Sequence, residues 1–236
     1  MRNFLFLLFF LLNFIKISAQ LDVKISEEIC VSLKSITESD STKLFAEQAA
    51  LQTELLSKAI KNLPEETIKK EKNFLNFLNV FNYKIARNLR KNCDVKISFE
   101  PNRFLPLTSV VDFNNAFTFE QFKNLRNQVR KLRTDKSIDI LILEVDNFYP
   151  FDDITDYSFN ILENWQSGIP SKKGKMIIVF SKELRQIRIS TDYISKQFID
   201  DRFLQNIIDN EIYTNFKVEN FYKGISATLT EIEKKL

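Results

Sequence analysis

Ile161-Leu162-Glu163-Asn164-Trp165-Gln166-Ser167-Gly168, continued by Lys173-Gly174-Lys175-Met176-Ile177-Ile178-Val179-Phe180, is the stretch that decides the fold of this 236-residue chain. It holds the single Trp and two of the three Gly, set between an amphipathic segment and a short, strongly apolar one. That order reads as helix, special loop, buried strand. In a chain so poor in glycine, each one marks a position where the backbone needs φ > 0 or a close approach that a Cβ would block.

Working outward, the same alternation continues on both sides. Thr118-Phe119-Glu120-Gln121 is a capping-box signal that opens a helix running to about Arg133, and Ile138 to Val145 is a dense aliphatic strand. Asp152-Asp153 cap the helix that carries Tyr157, Ile161, Leu162 and Trp165. Met176 to Phe180 and Leu184 to Ile189, separated by Ser181-Lys182-Glu183, read as an antiparallel hairpin. Asp200-Asp201 start a further helix, and a last one runs from about Val218 to Lys235. Helices alternate with strands, which predicts an α/β layer fold with a mixed sheet.

Upstream the period changes. Ile25, Ile29, Leu33 and Ile36 repeat at helical spacing, and Leu44, Leu51, Leu55, Leu56 and Ile60 follow the cap signal Ser39-Asp40-Ser41. Pro64 opens a third helix with Phe74, Phe77, Leu78, Phe81, Ile85 and Leu89, a Phe-rich stripe that reads as core rather than ligand pocket. Pro101 and Pro106 flank Asn102-Arg103 where the helical period stops. The expected organisation is a three-helix domain over 20–98, a linker over 99–109 and an α/β domain over 110–236.

Residues 1–19 combine Arg2, an apolar run from Phe4 to Leu12 continuing through Phe14 and Ile15, and Ser18-Ala19-Gln20, a small-residue cleavage pattern. This reads as a secretory signal peptide, because Lys16 ends the run short of the roughly 20 residues a spanning helix needs. A periplasmic or secreted location follows, with no transmembrane segment after cleavage. Removing 1–19 takes away Arg2 and Lys16 and no acid, so 34 Lys and Arg fall to 32 against 31 Asp and Glu. Near-neutral charge argues against nucleic-acid binding, and Lys131, Arg133, Lys172, Lys173 and Lys175 read as solvated positions.

In an exported chain the pair Cys30 and Cys93 is naturally read as a disulfide closing a loop of about 60 residues, which could stabilise by roughly 4 kcal/mol. A redox pair is the alternative, but no Cys-x-x-Cys spacing supports it. The chain has no His. That excludes Ser-His-Asp and Cys-His centres, phosphohistidine chemistry and imidazole zinc sites. Two Cys are too few for a thiolate zinc or iron–sulfur centre, and three scattered Gly make neither a P-loop nor a dinucleotide fingerprint, so zinc and nucleotide cofactors are not expected, and neither is haem.

From Val110 to Leu236 the chain resembles the TPM domain family. The resemblance is carried by Val111-Asp112 ahead of the capped helix, the Ile140-Leu141-Ile142-Leu143 strand, Trp165 with Gly168, and Gly174 before an aliphatic strand. Arg185 with Ile187 and Ile189, Ile199-Asp200-Asp201, and Phe221-Tyr222-Lys223-Gly224-Ile225 continue it in order. The family comprises exported or membrane-tethered domains in bacterial envelope proteins, a plant thylakoid-lumen protein and an animal auxiliary protein of acetylcholine receptors. The resemblance implies a three-layer α/β/α sandwich. One departure stands out: where members show a segment like Gly-Tyr-Gly-Leu-Glu, this chain has Asp192-Tyr193-Ile194-Ser195-Lys196.

Some TPM domains bind calcium, and an exported compartment supplies millimolar Ca²⁺ to an oxygen-only site. The candidate ligands are Asp112, Asp146 and Asp201, expected to converge at one edge of the sheet, with Asp200 as a further candidate; Asp112 and Asp201 match the family pattern. The plainer reading makes Asp200 or Asp201 a helix cap, with Asp152, Asp153 and Asp156 capping or facing solvent. Two functions follow from the resemblance: a non-catalytic accessory module for envelope or membrane proteins, or a metal-dependent acid phosphatase-like hydrolase of phosphomonoesters.

Overall fold

The computed structural model describes residues 21–36, 41–62, 74–94, 106, 108–149, 151–165 and 170–236. The expected signal peptide, the Pro64 helix start, Gly168 and most of the expected linker lie outside these residues. Among the described residues two compact units form, one within Met1–Lys72 and Phe81–Glu100, the other within Asn73–Val80 and Pro101–Leu236. No described helix is long and apolar enough to cross a membrane.

The first unit contains helix α1 over 21–33, α2 (Ser41–Lys61) and the greater part of α3 (Phe74–Asn92). Helical spacing puts Ile25, Ile29 and Leu33 on one face of α1 and Phe81, Ile85 and Leu89 on one face of α3, and all six are buried. Cys30 and Cys93 are joined as a disulfide with Cα atoms 5.7 Å apart. A closed disulfide is the state expected of an oxidising compartment.

The second unit is built on a four-stranded sheet in the order β1 (Val110–Asp112), β2 (Asp139–Glu144), β3 (Lys175–Ser181) and β4 (Gln186–Thr191). The first three strands are parallel and β4 is antiparallel to β3, the mixed sheet that the alternation of elements predicts. Strand periodicity separates two faces. Val110, Ile140, Ile142, Met176, Ile178, Phe180 and Ile189 share one core with α4 (Phe119–Lys136) and α8 (Phe221–Lys235). On the other face α5 (Ile154–Asn164) lies across β3 and β4, and Ser158 donates to Ser190 at 2.8 Å. Helices therefore flank both faces, giving three layers.

Local signals place the helices. Thr118 and Gln121 form the reciprocal capping box of α4, and Asp153, not Asp152, caps α5 through the N–H groups of Thr155 and Asp156. Asp200 caps α6 (Asp201–Ile207), which continues through a π-helical segment, Ile208–Ile212, into α7 (Tyr213–Phe216). The final helix starts at Phe221 rather than Val218, because Glu219 takes φ 57° and Asn220 supplies the cap. The hairpin also shifts. Ser181 stays in the β3 ladder opposite Gln186, so the turn is Lys182–Arg185 and Arg185 sits in it at φ 52° rather than in the strand.

Two glycines meet the expectation of tight backbone. Gly174 has φ 75°, and a Cβ there would meet the Asp192 carboxylate and lie 2.8 Å from the Ser195 nitrogen. Gly224, inside α8, lets the Phe216 ring approach to 3.0 Å from where a Cβ would stand. Trp165 is buried and donates from its indole to the Pro106 carbonyl at 3.3 Å, so it is architectural.

Candidate functional site

The carboxyl ends of the parallel strands bring together two acids that lie on the core side of the sheet. Asp112 ends β1 and Glu144 ends β2, directly opposite each other in the parallel register, and they are 4% and 0% exposed. Burying two neighbouring carboxylates is costly unless their oxygens are hydrogen-bonded and a proton is shared. The first of these is visible in the structure. Asp112 accepts from the backbone N–H groups of Ala116 (2.8 Å) and Phe117 (3.0 Å). Glu144 accepts from the backbone N–H of Asn114 (2.7 Å) and from its side-chain amide (2.9 Å).

The acids thus clamp residues 113–117, the turn that leads into α4, with Asn115 at φ 54°. Asn76, at the start of α3, holds the other side of Asp112: its amide donates to the Asp112 carbonyl and accepts from the Asp112 N–H, both at 2.9 Å. A side chain there fills the place that a neighbouring strand would occupy. Lys182, from the hairpin turn, donates to the Asn114 carbonyl at 2.5 Å.

Burial raises the Asp112 carboxyl above its ordinary value, opposed by the Ala116 and Phe117 N–H groups, by a hydrogen bond with Glu144 and by the Lys182 charge. Burial likewise pushes Glu144 up to about 7, opposed by the Asn114 hydrogen bonds and reinforced by the negative charge of Asp112 and its hydrogen bond.

The other expected site residues have these surroundings. Asp146 is half-buried in the loop after β2. Asp200 spends its carboxylate on the Phe203 N–H as the cap of α6, and Asp201 pairs with Lys196 at 2.8 Å on the surface. In the expected convergence of Asp112, Asp146 and Asp201, Asp201 has Lys196 as its partner instead. Because β4 is antiparallel, its exit at Asp192 returns to the start of β3, where Asp192 accepts from the Lys175 N–H at 3.0 Å. Asp112, in contrast, shares its row with Glu144 and Phe180. The length of β3, roughly 17 Å at strand rise, separates the two rows.

A calcium centre needs about six to eight oxygen ligands. Asp112 and Glu144 bring four carboxylate oxygens, each already engaged by an N–H donor. Among the described residues no group of three or more Cys, Asp or Glu side chains could hold a metal ion. These residues do not fit a calcium shell, and no chemistry is routed through one.

Reading the sequence passed over Glu144, Asn114, Asn76 and Lys182. The available signal was an acid closing the aliphatic run Ile140-Leu141-Ile142-Leu143, where the strand period turns it toward the core.

Residues 110–235 match the TPM domain, which is more than half of the chain. The chain therefore belongs to the TPM domain family. Among solved structures it is similar to the solution NMR structure of the N-terminal domain of a protein from P. gingivalis. The identity there is 18%, covering 54% of this chain and 80% of that one, with a TM-score of 0.47. It is also similar to the NMR structure of BA42 from the psychrophilic bacterium Bizionia argentinensis, at 21% identity over 51% of this chain and 81% of that one, TM-score 0.45. No curated protein matches the sequence.

Proposed function

We propose that this chain is an exported, periplasmic or secreted TPM module that works by binding, as a non-catalytic accessory to envelope or membrane proteins. What carries the reading is how the carboxylates at the strand ends are used. All four oxygens of Asp112 and Glu144 hold their own loop, and both side chains are buried. Acids employed this way support a rigid binding surface better than a site that must receive a cation and a phosphoryl group. The disulfide and the signal-like residues 1–19 support an exported location.

One observation favours the hydrolase alternative. Burial pushes the Glu144 carboxyl up to about 7, the range in which a general acid works. The two readings part on a phosphomonoester assay of the purified chain with millimolar Ca²⁺ or Mg²⁺, run beside the Asp112→Asn, Glu144→Gln double variant. The binding reading expects no turnover above buffer, and a thermal midpoint that Ca²⁺ leaves in place. Turnover that the double variant abolishes would overturn it. Cross-linking in an envelope fraction should then capture the same few membrane proteins with wild type and double variant alike.

A further inference from the structure

Cleavage after Ala19, which belongs to the exported reading, makes Gln20 the first residue of the mature chain. A glutamine gains at that position a reaction it lacks inside a chain. Inside, its backbone nitrogen is a planar amide and not a nucleophile. Once freed it is an α-amine with an ordinary pKa of about 7.7 to 8.0, so near neutral pH a sizeable share is unprotonated. Its own side-chain amide carbon stands where attack closes a γ-lactam, and an intramolecular attack of this kind has a large effective molarity.

We infer that the mature chain begins with pyroglutamate formed from Gln20. This modification rests on the exported reading of residues 1–19 and adds to it a change at the new terminus. The α-amino nitrogen of Gln20 attacks its own Cδ, and a C–N bond forms in the ring. The bond from Cδ to the side-chain nitrogen breaks, and that nitrogen leaves as ammonia with a proton taken from the attacking amine. Nothing is oxidised or reduced, and no co-reactant is consumed.

Directly after Gln20 the chain is already folded. Helix α1 is in place at Leu21, and Asp22, Ile25 and Ser26 in its first turns are buried. Its later turns are held through buried Ile29 and Leu33 and through the disulfide from Cys30 to Cys93. Processing after Ala19 therefore leaves no spacer between the new terminus and a packed helical turn. The helix macrodipole disfavours an ammonium next to that turn, and the lactam is neutral. Val23 and Lys24 are exposed, so the turn has a solvent side from which processing reaches the terminus.

The test is stepwise N-terminal sequencing of the full chain, expressed with residues 1–19 in an exporting bacterial host and isolated from the periplasm or medium with its disulfide formed. The wild-type chain should be blocked, and after treatment with a pyroglutamyl aminopeptidase it should read Leu21, Asp22, Val23. By mass, its first tryptic peptide, Gln20–Lys24, should be lighter by one ammonia than the open form. Gln20→Ala leaves Ser18-Ala19 in place and should be readable at the first cycle. A block that persists in this variant overturns the inference. An open Gln20 at the terminus, or a processed chain that begins at another residue, also overturns it while leaving the exported reading standing. A chain that still carries residues 1–19 overturns both.

Discussion

The two ends of the sheet use the same device with different consequences. At the carboxyl end Asp112 binds the N–H groups of Ala116 and Phe117; at the amino end of β3 Asp192 binds the N–H groups of Lys175 and Ser195 and the Ser195 hydroxyl. Each aspartate folds its own loop. Asp112, however, stands beside Glu144, and burial raises both carboxyls, whereas Asp192 is packed against the bare Cα of Gly174. One end is therefore tied to pH and the other to a steric fit.

The steric end should break hardest. Gly174→Ala puts a methyl against Asp192 and the Ser195 nitrogen at φ 75°, and should cost about 3 kcal/mol or more, read as a fall in the urea midpoint at unchanged slope. A loss under 1 kcal/mol would mean the loop yields. Asp192→Ala comes next. It strands the Lys175 and Ser195 N–H groups and should cost about 2 to 3 kcal/mol in the same measurement.

The carboxyl end should respond to pH. Both acids lie above their ordinary values in the folded state, so the native protein binds protons that the unfolded chain has released. The stability this contributes is complete below about 4.5, the ordinary Glu value, and is lost as pH rises through about 7. Glu144→Gln mimics the protonated side chain, so it should match wild type near pH 4 and exceed it at pH 8.5. The gain should grow between about pH 4.5 and 7, by up to about 1.4 kcal/mol per pH unit, and level off above. Equal pH slopes in the two proteins would show that Glu144 is not the titrating group. The smallest effect is expected of Lys182→Met, which removes a cation that lowers the Asp112 carboxyl and a bond to the Asn114 carbonyl. It should cost under about 1 kcal/mol and move the pH midpoint upward.

What was legible in the sequence is what depends on neighbours along the chain. The capping box at Thr118, the cap at Asp200, the aliphatic strands and the tight position of Gly174 all follow from residues a few places apart. The strand limits of the hairpin were less legible, because Arg185 in the left-handed region and Ser181 in the ladder obey turn geometry rather than composition. The site was least legible. Asp112 and Glu144 lie 32 positions apart and meet only because β1 and β2 pair in register.

By itself the sequence determined the class of fold, the helical segment ahead of it and the membership of the TPM family. The cause is that hydrophobic period and capping chemistry are local and survive any arrangement of the elements. Only the tertiary structure decided which acids stand together. An antiparallel last strand returns the chain to the start of β3, where Asp201 pairs with Lys196, and burial side by side raises the Asp112 and Glu144 carboxyls above their ordinary values. Strand direction and burial are properties of the packed chain, and no short stretch of residues encodes them alone.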